Sequence, residues 1–249
     1  GYYSRGIAFL LILSPISAAL VWNKKILAIT ILILCFGSII LGPNKTAILS
    51  SILSLPIFFG MVFFRKLAIS LMVFLTVAFA LFTPIFLGNT SPELWIEKES
   101  RYLDIIKDHE ALNKELNTEF IIRSLNFQIT RTSYMLLHRD VIWNYTRNKI
   151  FDKPLTGYGV FSSREFGKNN FIKNYNDDLY PVIPLHPHNN VMQIWLELGI
   201  LGALLFAFLN FRIWYFINKI PVRFKYHSAL LASSLMMVFL IGQSSYGLW

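Results

Sequence analysis

His188 opens the stretch with the most chemical content in this 249-residue chain. His188-Asn189 is followed by Gln193, Glu197, Gly199 and Gly202 within an apolar run that continues to Ile217. A histidine where a polar segment meets a long apolar one is partly removed from water and titrates near neutrality, so it can take a proton from a substrate hydroxyl as a general base. Asn189, Gln193 and Glu197 recur at spacings of four and would stack on one face of a helix. A carboxylate roughly 13 Å into an apolar helix, at about 1.5 Å per residue, is costly unless it faces a cavity or a partner. Glu197 therefore has two readings at this point. It belongs to a functional face, or it pairs inside the bundle while His188 sits at the interface.

The elements that position this stretch are membrane spans. The apolar set makes up 55% of the chain and charged residues only 15%, with mean hydropathy +0.51, a balance outside that of soluble domains. Six runs approach the ~20 apolar residues that cross a bilayer as helix: Gly6–Trp22, Ile26–Leu41, Thr46–Phe64, Leu67–Leu87, Asn190–Ile217 and Ser228–Gln243. Gly42-Pro43-Asn44 is turn chemistry between the second and third. Short loops bearing Lys24 and Lys25, Arg65 and Lys66, and Lys219, Arg223 and Lys225 fall at alternate connections and mark the cytoplasmic side. The opposite, extracytoplasmic face then carries the turn before Lys45 and the whole segment Asn89–His188.

Charge is distributed in the same sense. Asn89–His188 holds 13 acidic and 13 basic residues, whereas the remainder has ten bases and one acid, Glu197. The net charge of +9 thus comes from bases flanking apolar runs, which excludes a nucleic-acid-binding face. The single cysteine, Cys35, lies in an apolar run and forms no internal disulfide. From Pro92 to about Asn148 the apolar rhythm is helical, as if capping the bundle. Beyond Asp152 the composition, including Pro154, Gly157 and Gly159, is that of loop; the two glycines suit a tight turn and lack the strand-and-helix setting of a nucleotide-binding loop. The expected architecture is all-α: a polytopic transmembrane bundle with a large, mostly helical extracytoplasmic loop. Its divisions would be 1–88 with four spans, 89–188 as a periplasmic loop domain, and 189–249 with two spans and the start of a further periplasmic segment. With neither an initial methionine nor a cleavage site after the first span, the chain reads as a piece lacking N-terminal helices.

His-Asn, nine residues, then Gly-x-x-Gly resembles the signature of the bacterial O-antigen ligase family, matched here by His188, Asn189, Gly199 and Gly202. Arg139 and Trp143 resemble the family's Arg-x-x-x-Trp helix, Pro154, Gly157 and Gly159 its Pro-x-x-Gly-x-Gly turn, and Gln243-Ser244-Ser245-Tyr246 the end of its last conserved span. The resemblance implies a glycosyltransferase of the bacterial inner membrane whose donor is a glycan on undecaprenyl diphosphate and whose acceptor is lipid A–core. A surface-polysaccharide polymerase of the same family is the alternative. Oligosaccharyltransferases acting on protein hydroxyls also share the motif. A transporter of lipid-linked glycans remains as a non-enzymatic alternative.

By the same resemblance two cations hold the diphosphate while His188 activates the acceptor hydroxyl. Arg139 corresponds to one of them. Lys45 occupies the place where an arginine is usual, keeping charge and donors but losing the bidentate fork. Each residue also has a structural reading. Lys45 can be an interfacial anchor, and Arg139 can stack on Trp143 one turn away. Arg147, another turn on, is either the alternative phosphate ligand or a solvated helix charge, and His186 reads as loop structure. Asn189, Gln193, Glu197 and Trp143 are supporting residues. No metal site or cofactor is expected: His109, His138, His186, His188 and His227 lack ligand-spaced partners, and a lipid diphosphate already leaves readily when cationic donors stabilise it.

Overall fold

The computed structural model describes residues 2–40, 45–89, 138–173 and 179–243. All six apolar runs are helices: α1 (Tyr2–Leu20), α2 (Lys25–Ile40), α3 (Lys45–Phe63), α4 (Arg65–Phe86), α7 (Asn190–Lys219) and α8 (Lys225–Gly242). Between α4 and α7 lie α5 over residues 138–152 and α6 (Ser162–Asn169). Strands β1 (Phe171–Lys173) and β2 (Leu179–Pro181) follow α6 as an antiparallel pair that matches Ile172 with Tyr180. The protein is an all-α, multi-pass helical protein, and Lys45–Phe63, Arg65–Phe86, Asn190–Lys219 and Val222–Gly242 are each long and apolar enough to cross a membrane. The apolar stretches of the first two helices, Gly6–Leu20 and Lys25–Ile39, are shorter.

The described residues fall into two compact units, one drawn from 1–81, 188–191 and 203–249, the other from 82–187 and 192–202. In the first unit, α8 enters three apolar clusters. Ala229 and Ala232 pack with Ile57, Met61 and Trp214, Leu230 packs with Ala18 and Ala28, and Met237 and Ile241 pack with Leu11, Ile39 and Ala47. Small residues on α8 let neighbouring backbones approach, as membrane helices require. Two of its hydroxyls cross to other helices, Ser234 Oγ to the Ile12 carbonyl at 2.7 Å and Ser233 Oγ to that of Ser54 at 3.4 Å. Arg65 donates from Nη2 to the carbonyls of Ile217 (2.7 Å) and Asn218 (3.0 Å), satisfying acceptors at the end of α7.

The second unit is built differently, and it corrects the reading of Asp152–His188 as loop alone. That stretch contains α6 and the β-hairpin. Within it Ile142 and Ile150 of α5, Ile183 of the segment after β2, and Met192 and Leu196 of α7 are each fully buried. Phe166 of α6 meets Tyr158 and Tyr145 edge-on at 5.0 and 6.0 Å. A glycine is required at 167, because a Cβ there would meet the Ile183 carbonyl oxygen. Order in this stretch thus comes from contacts distant in sequence, which its polar, glycine- and proline-rich composition does not reveal. The expected turn at Gly42-Pro43-Asn44, the helical rhythm before residue 138 and Ser244-Ser245-Tyr246 lie outside the described residues.

Candidate active site

α5 presents the first group of candidate residues. Asp140, Asn144 and Arg147 follow at helical spacing and hold the end of α4. Asp140 Oδ1 accepts from the Gly88 amide (2.9 Å), Asn144 Nδ2 donates to the Gly88 carbonyl (2.9 Å), and Arg147 Nη1 donates to Asn89 Oδ1 (2.9 Å). Gly88 has φ +78° and lies so close to α5 that a Cβ would sit 2.5 Å from the Trp143 carbonyl carbon. The Arg147 guanidinium also stands 5.4 Å above the Phe151 ring. Arg147 therefore serves this clasp. Asp140 and Asn144, which sequence reasoning passed over, carry a legible signal: polar residues at i, i+4 and i+7 on one helix face.

Arg139 stands apart from the clasp. It is half-buried, and desolvation by that burial lowers its pKa from the ordinary guanidinium value. Among the described residues it has neither an acidic partner nor a stacked ring, Trp143 included. A desolvated cation with no counter-charge among the described residues is suited to an anionic ligand. Trp143 is occupied elsewhere, since its indole Nε1 donates to the Pro187 carbonyl at 2.7 Å and so fixes the residue before His188.

Glu197 finds its partners in the turn after α5. Gly199, with φ +62° and ψ −156°, interrupts α7, and the turn following α5 docks against the break. The amides of Tyr158 and Gly159 donate to the carbonyls of Leu196 (2.9 Å) and Glu197 (2.8 Å), and the Ile200 amide donates back to the Pro154 carbonyl (2.8 Å). Both glycines are required by close approach. A Cβ on Gly157 would lie 2.5 Å from the Glu197 carbonyl carbon, and one on Gly199 2.5 Å from that of Leu155. The fully buried Glu197 carboxylate accepts from Ser163 Oγ (2.6 Å), the Phe161 amide (3.0 Å) and Gln193 Nε2 (3.3 Å). The helical face expected from the fourfold spacing holds for Gln193 and Glu197. Its burial cost is met by the turn, and Ser163 is a partner no local pattern announces.

His188 and Asn189 come directly before Asn190, the first residue of α7. His188 adopts φ +56°, a left-handed conformation that costs of order 1–3 kcal/mol for a non-glycine residue and persists where neighbours impose it. Asn189 is buried and donates from Nδ2 to the Gln243 carbonyl at 3.4 Å, at the long end for a hydrogen bond. With Trp143 holding Pro187, the backbone is tied on both sides of the histidine. Asn190 packs on α8, where a Cβ at Gly242 would fall 2.5 Å from Asn190 Nδ2. Lys45 is exposed at the first turn of α3. His186 is half-buried, and burial, followed by the nearby Arg164 charge, lowers its pKa. Lys45, His188 and Asn189 belong to the first unit; Arg139, Trp143, Arg147, Gln193 and Glu197 belong to the second.

Comparison with known proteins bears on the same residues. A family model described as O-Antigen ligase matches residues 30–207, a range that includes every candidate above. Relatives named "Putative polysaccharide ligase" are 39% identical over 128 residues in Rickettsia felis and 39% identical over 129 residues in Rickettsia prowazekii. Each alignment takes in 51% of this chain and 31% of the relative, so the chain spans about a third of the length of the curated relatives it matches. No solved structure matches. With the family model covering well over half its length, from the second helix through the His188-Asn189 and Gly199–Gly202 stretch of α7, this chain belongs to the O-antigen ligase family.

Proposed function

We propose that the protein transfers a glycan from undecaprenyl diphosphate to a sugar hydroxyl of lipid A–core on the periplasmic face of the bacterial inner membrane. The observation that carries this reading is Arg139, a half-buried cation with no acidic partner among the described residues, in a chain whose family acts on glycans. Arg139 is assigned to a phosphate of the donor, with Lys45 as a second cation of weaker geometry. His188, held at φ +56°, takes the proton of the acceptor hydroxyl. The hydroxyl oxygen then bonds to the anomeric carbon as the carbon–oxygen bond to the diphosphate breaks, and undecaprenyl diphosphate departs with the electron pair. A single displacement of this kind inverts the anomeric centre and needs no metal.

The test separates binding from transfer in membranes supplied with lipid-linked donor. His188→Gln keeps a hydrogen-bonding side chain but cannot act as base. It should bind donor normally and lose transfer by about a hundredfold or more. Arg139→Ala should weaken donor binding by about tenfold to a hundredfold, with Arg139→Lys intermediate because charge survives and the fork does not. Near-normal transfer by His188→Gln would remove the histidine from proton transfer. Orientation is checked by cysteine labelling: a cysteine at Lys168 should react with an impermeant reagent from outside the cytoplasmic membrane, and one at Lys225 should not.

A further inference from the structure

The turn that closes on the break in α7 carries a surface with no function in the chemistry above. Leu155 is 68% exposed, Val160 53% and Phe161 48%, and Phe151 at the end of α5 and Leu201 just beyond the break are also exposed. Large apolar residues gathered on one short segment mark a surface made for something other than water. We propose that the segment from Phe151 to Arg164 lies in the membrane interface, its apolar side chains inserted among the phospholipids of the leaflet at the N-terminal side of α7.

Three observations favour phospholipid over a protein partner. The first is level along α7. The stretch from Ile200 to Lys219 is roughly 30 Å long at ~1.5 Å per residue, which already crosses the hydrocarbon core. The break at Gly199 therefore falls at the interface, and the turn hydrogen-bonded to it, through Tyr158, Gly159 and Pro154, falls there too. Leu201, exposed at the start of the membrane-crossing stretch, directly follows Ile200, whose amide bonds to the turn at Pro154.

The second is the backbone. Irregular chain is tolerated at membrane depth only when its amides and carbonyls find partners within protein. The amide of Gly157 donates to the Lys153 carbonyl, those of Tyr158 and Gly159 to α7, that of Ser162 to the Gly159 carbonyl, and that of Phe161 to the Glu197 carboxylate. The amides of Leu155, Thr156 and Val160 have no protein acceptor among the described residues, so the turn belongs at headgroup level, where water still reaches the backbone, and not in the hydrocarbon.

The third is charge. Lys153 Nζ stands 5.5 Å over the Tyr158 ring and the Arg164 guanidinium 5.1 Å over the Phe161 ring. Cations on aromatic rings bordering an apolar patch match lipid phosphates above acyl chains.

The proposal depends on α7 crossing the membrane and on none of the roles given to His188 or Arg139, so it stands or falls separately from them. The test places single cysteines at Leu155, Val160 and, as reference, Lys168, on a cysteine-free background in which Cys35 is replaced by serine. Each is labelled with an environment-sensitive fluorophore in the full protein, reconstituted into vesicles of phosphatidylethanolamine and phosphatidylglycerol. Labels at Leu155 and Val160 should be blue-shifted, quenched several-fold more strongly than the Lys168 label by lipids bearing a quencher near the headgroup, and shielded from aqueous iodide. Iodide quenching at Leu155 and Val160 equal to that at Lys168 would overturn the proposal. Shielding from both quenchers would overturn it as well, because a second copy or another protein would then cover the patch.

Discussion

The helical bundle and the turn docked on α7 solve the same problem, bringing backbones close, by opposite means. In the bundle the contact is made by side chains. Ala229 and Ala232 of α8 share a cluster with larger residues on other helices, Leu230 packs with alanines of other helices, and Ser234 and Ser233 reach neighbouring carbonyls. Such contacts are many, small and able to adjust. In the turn, Gly157 and Gly199 place backbone directly against backbone, both at positive φ, with no side chain between them. Nothing there can yield when an atom is added. The bundle should therefore absorb change gradually while the turn fails at single positions.

The contrast is tested most severely at the helix break. Gly199→Ala adds a Cβ 2.5 Å from the Leu155 carbonyl carbon at φ +62°, and should cost about 3–5 kcal/mol. Tryptic cleavage after Arg164 should rise as the turn undocks. Gly37→Ala in α2, with nothing within 4 Å of the added atom, should be neutral or stabilise by up to ~1 kcal/mol. Thermal unfolding in detergent compares the two, and equal stability would end the distinction.

An intermediate effect comes from removing acceptors. Glu197→Ala leaves the buried Ser163 Oγ without its carboxylate acceptor and removes that of the part-buried Phe161 amide, and should cost about 3 kcal/mol. Ser234→Ala, which deletes one interhelical hydroxyl bond, should cost about 1 kcal/mol or less. Glu197→Gln should fall between them, because it keeps shape and loses the charged acceptor. Equal losses for Glu197→Ala and Ser234→Ala in the same melting experiment would show the turn to be as forgiving as the bundle.

A pH dependence confined to the second unit is expected to be weaker still. Burial and the nearby Arg164 charge hold the His186 pKa below its ordinary value, which is about 6.5. The unfolded chain then binds the proton more readily than the folded one, so this contribution is fully present above pH ~6.5 and declines as pH falls toward the folded pKa. His186→Asn should flatten that part of the stability profile below about pH 6.5, whereas His227→Asn in the bundle tests whether the slope is particular to the second unit. An unchanged slope in His186→Asn would assign it to other groups.

Much of the plan was legible without coordinates. Six apolar runs of near-membrane length became six helices, and Gly199 matters at the position where the family pattern places it. Gly157 was legible only in part, since tight-turn chemistry accounts for its positive φ and not for its contact with Glu197. The helical spacing of Gln193 and Glu197 is seen in the hydrogen bond between them, and Asn189, four residues earlier and just before the helix, donates to the Gln243 carbonyl. Order within Asp152–His188 was not legible, because α6 and the hairpin are short and draw their support from Ile183, Tyr145 and the carboxylate of Glu197.

Membrane class, the number of apolar runs and the residues able to do chemistry follow from amino-acid order, since hydropathy and charge act along the chain and are read within a window of some twenty residues. What those residues touch follows only from the folded packing. Arg147 is turned to Gly88 and Asn89 while Arg139, about two turns earlier on the same helix, is left half-buried without an acidic partner among the described residues. Glu197 is satisfied by Ser163, thirty-four positions away. Local periodicity places a side chain on a face of its helix, but the partner it meets there is set by the packing of segments distant in sequence.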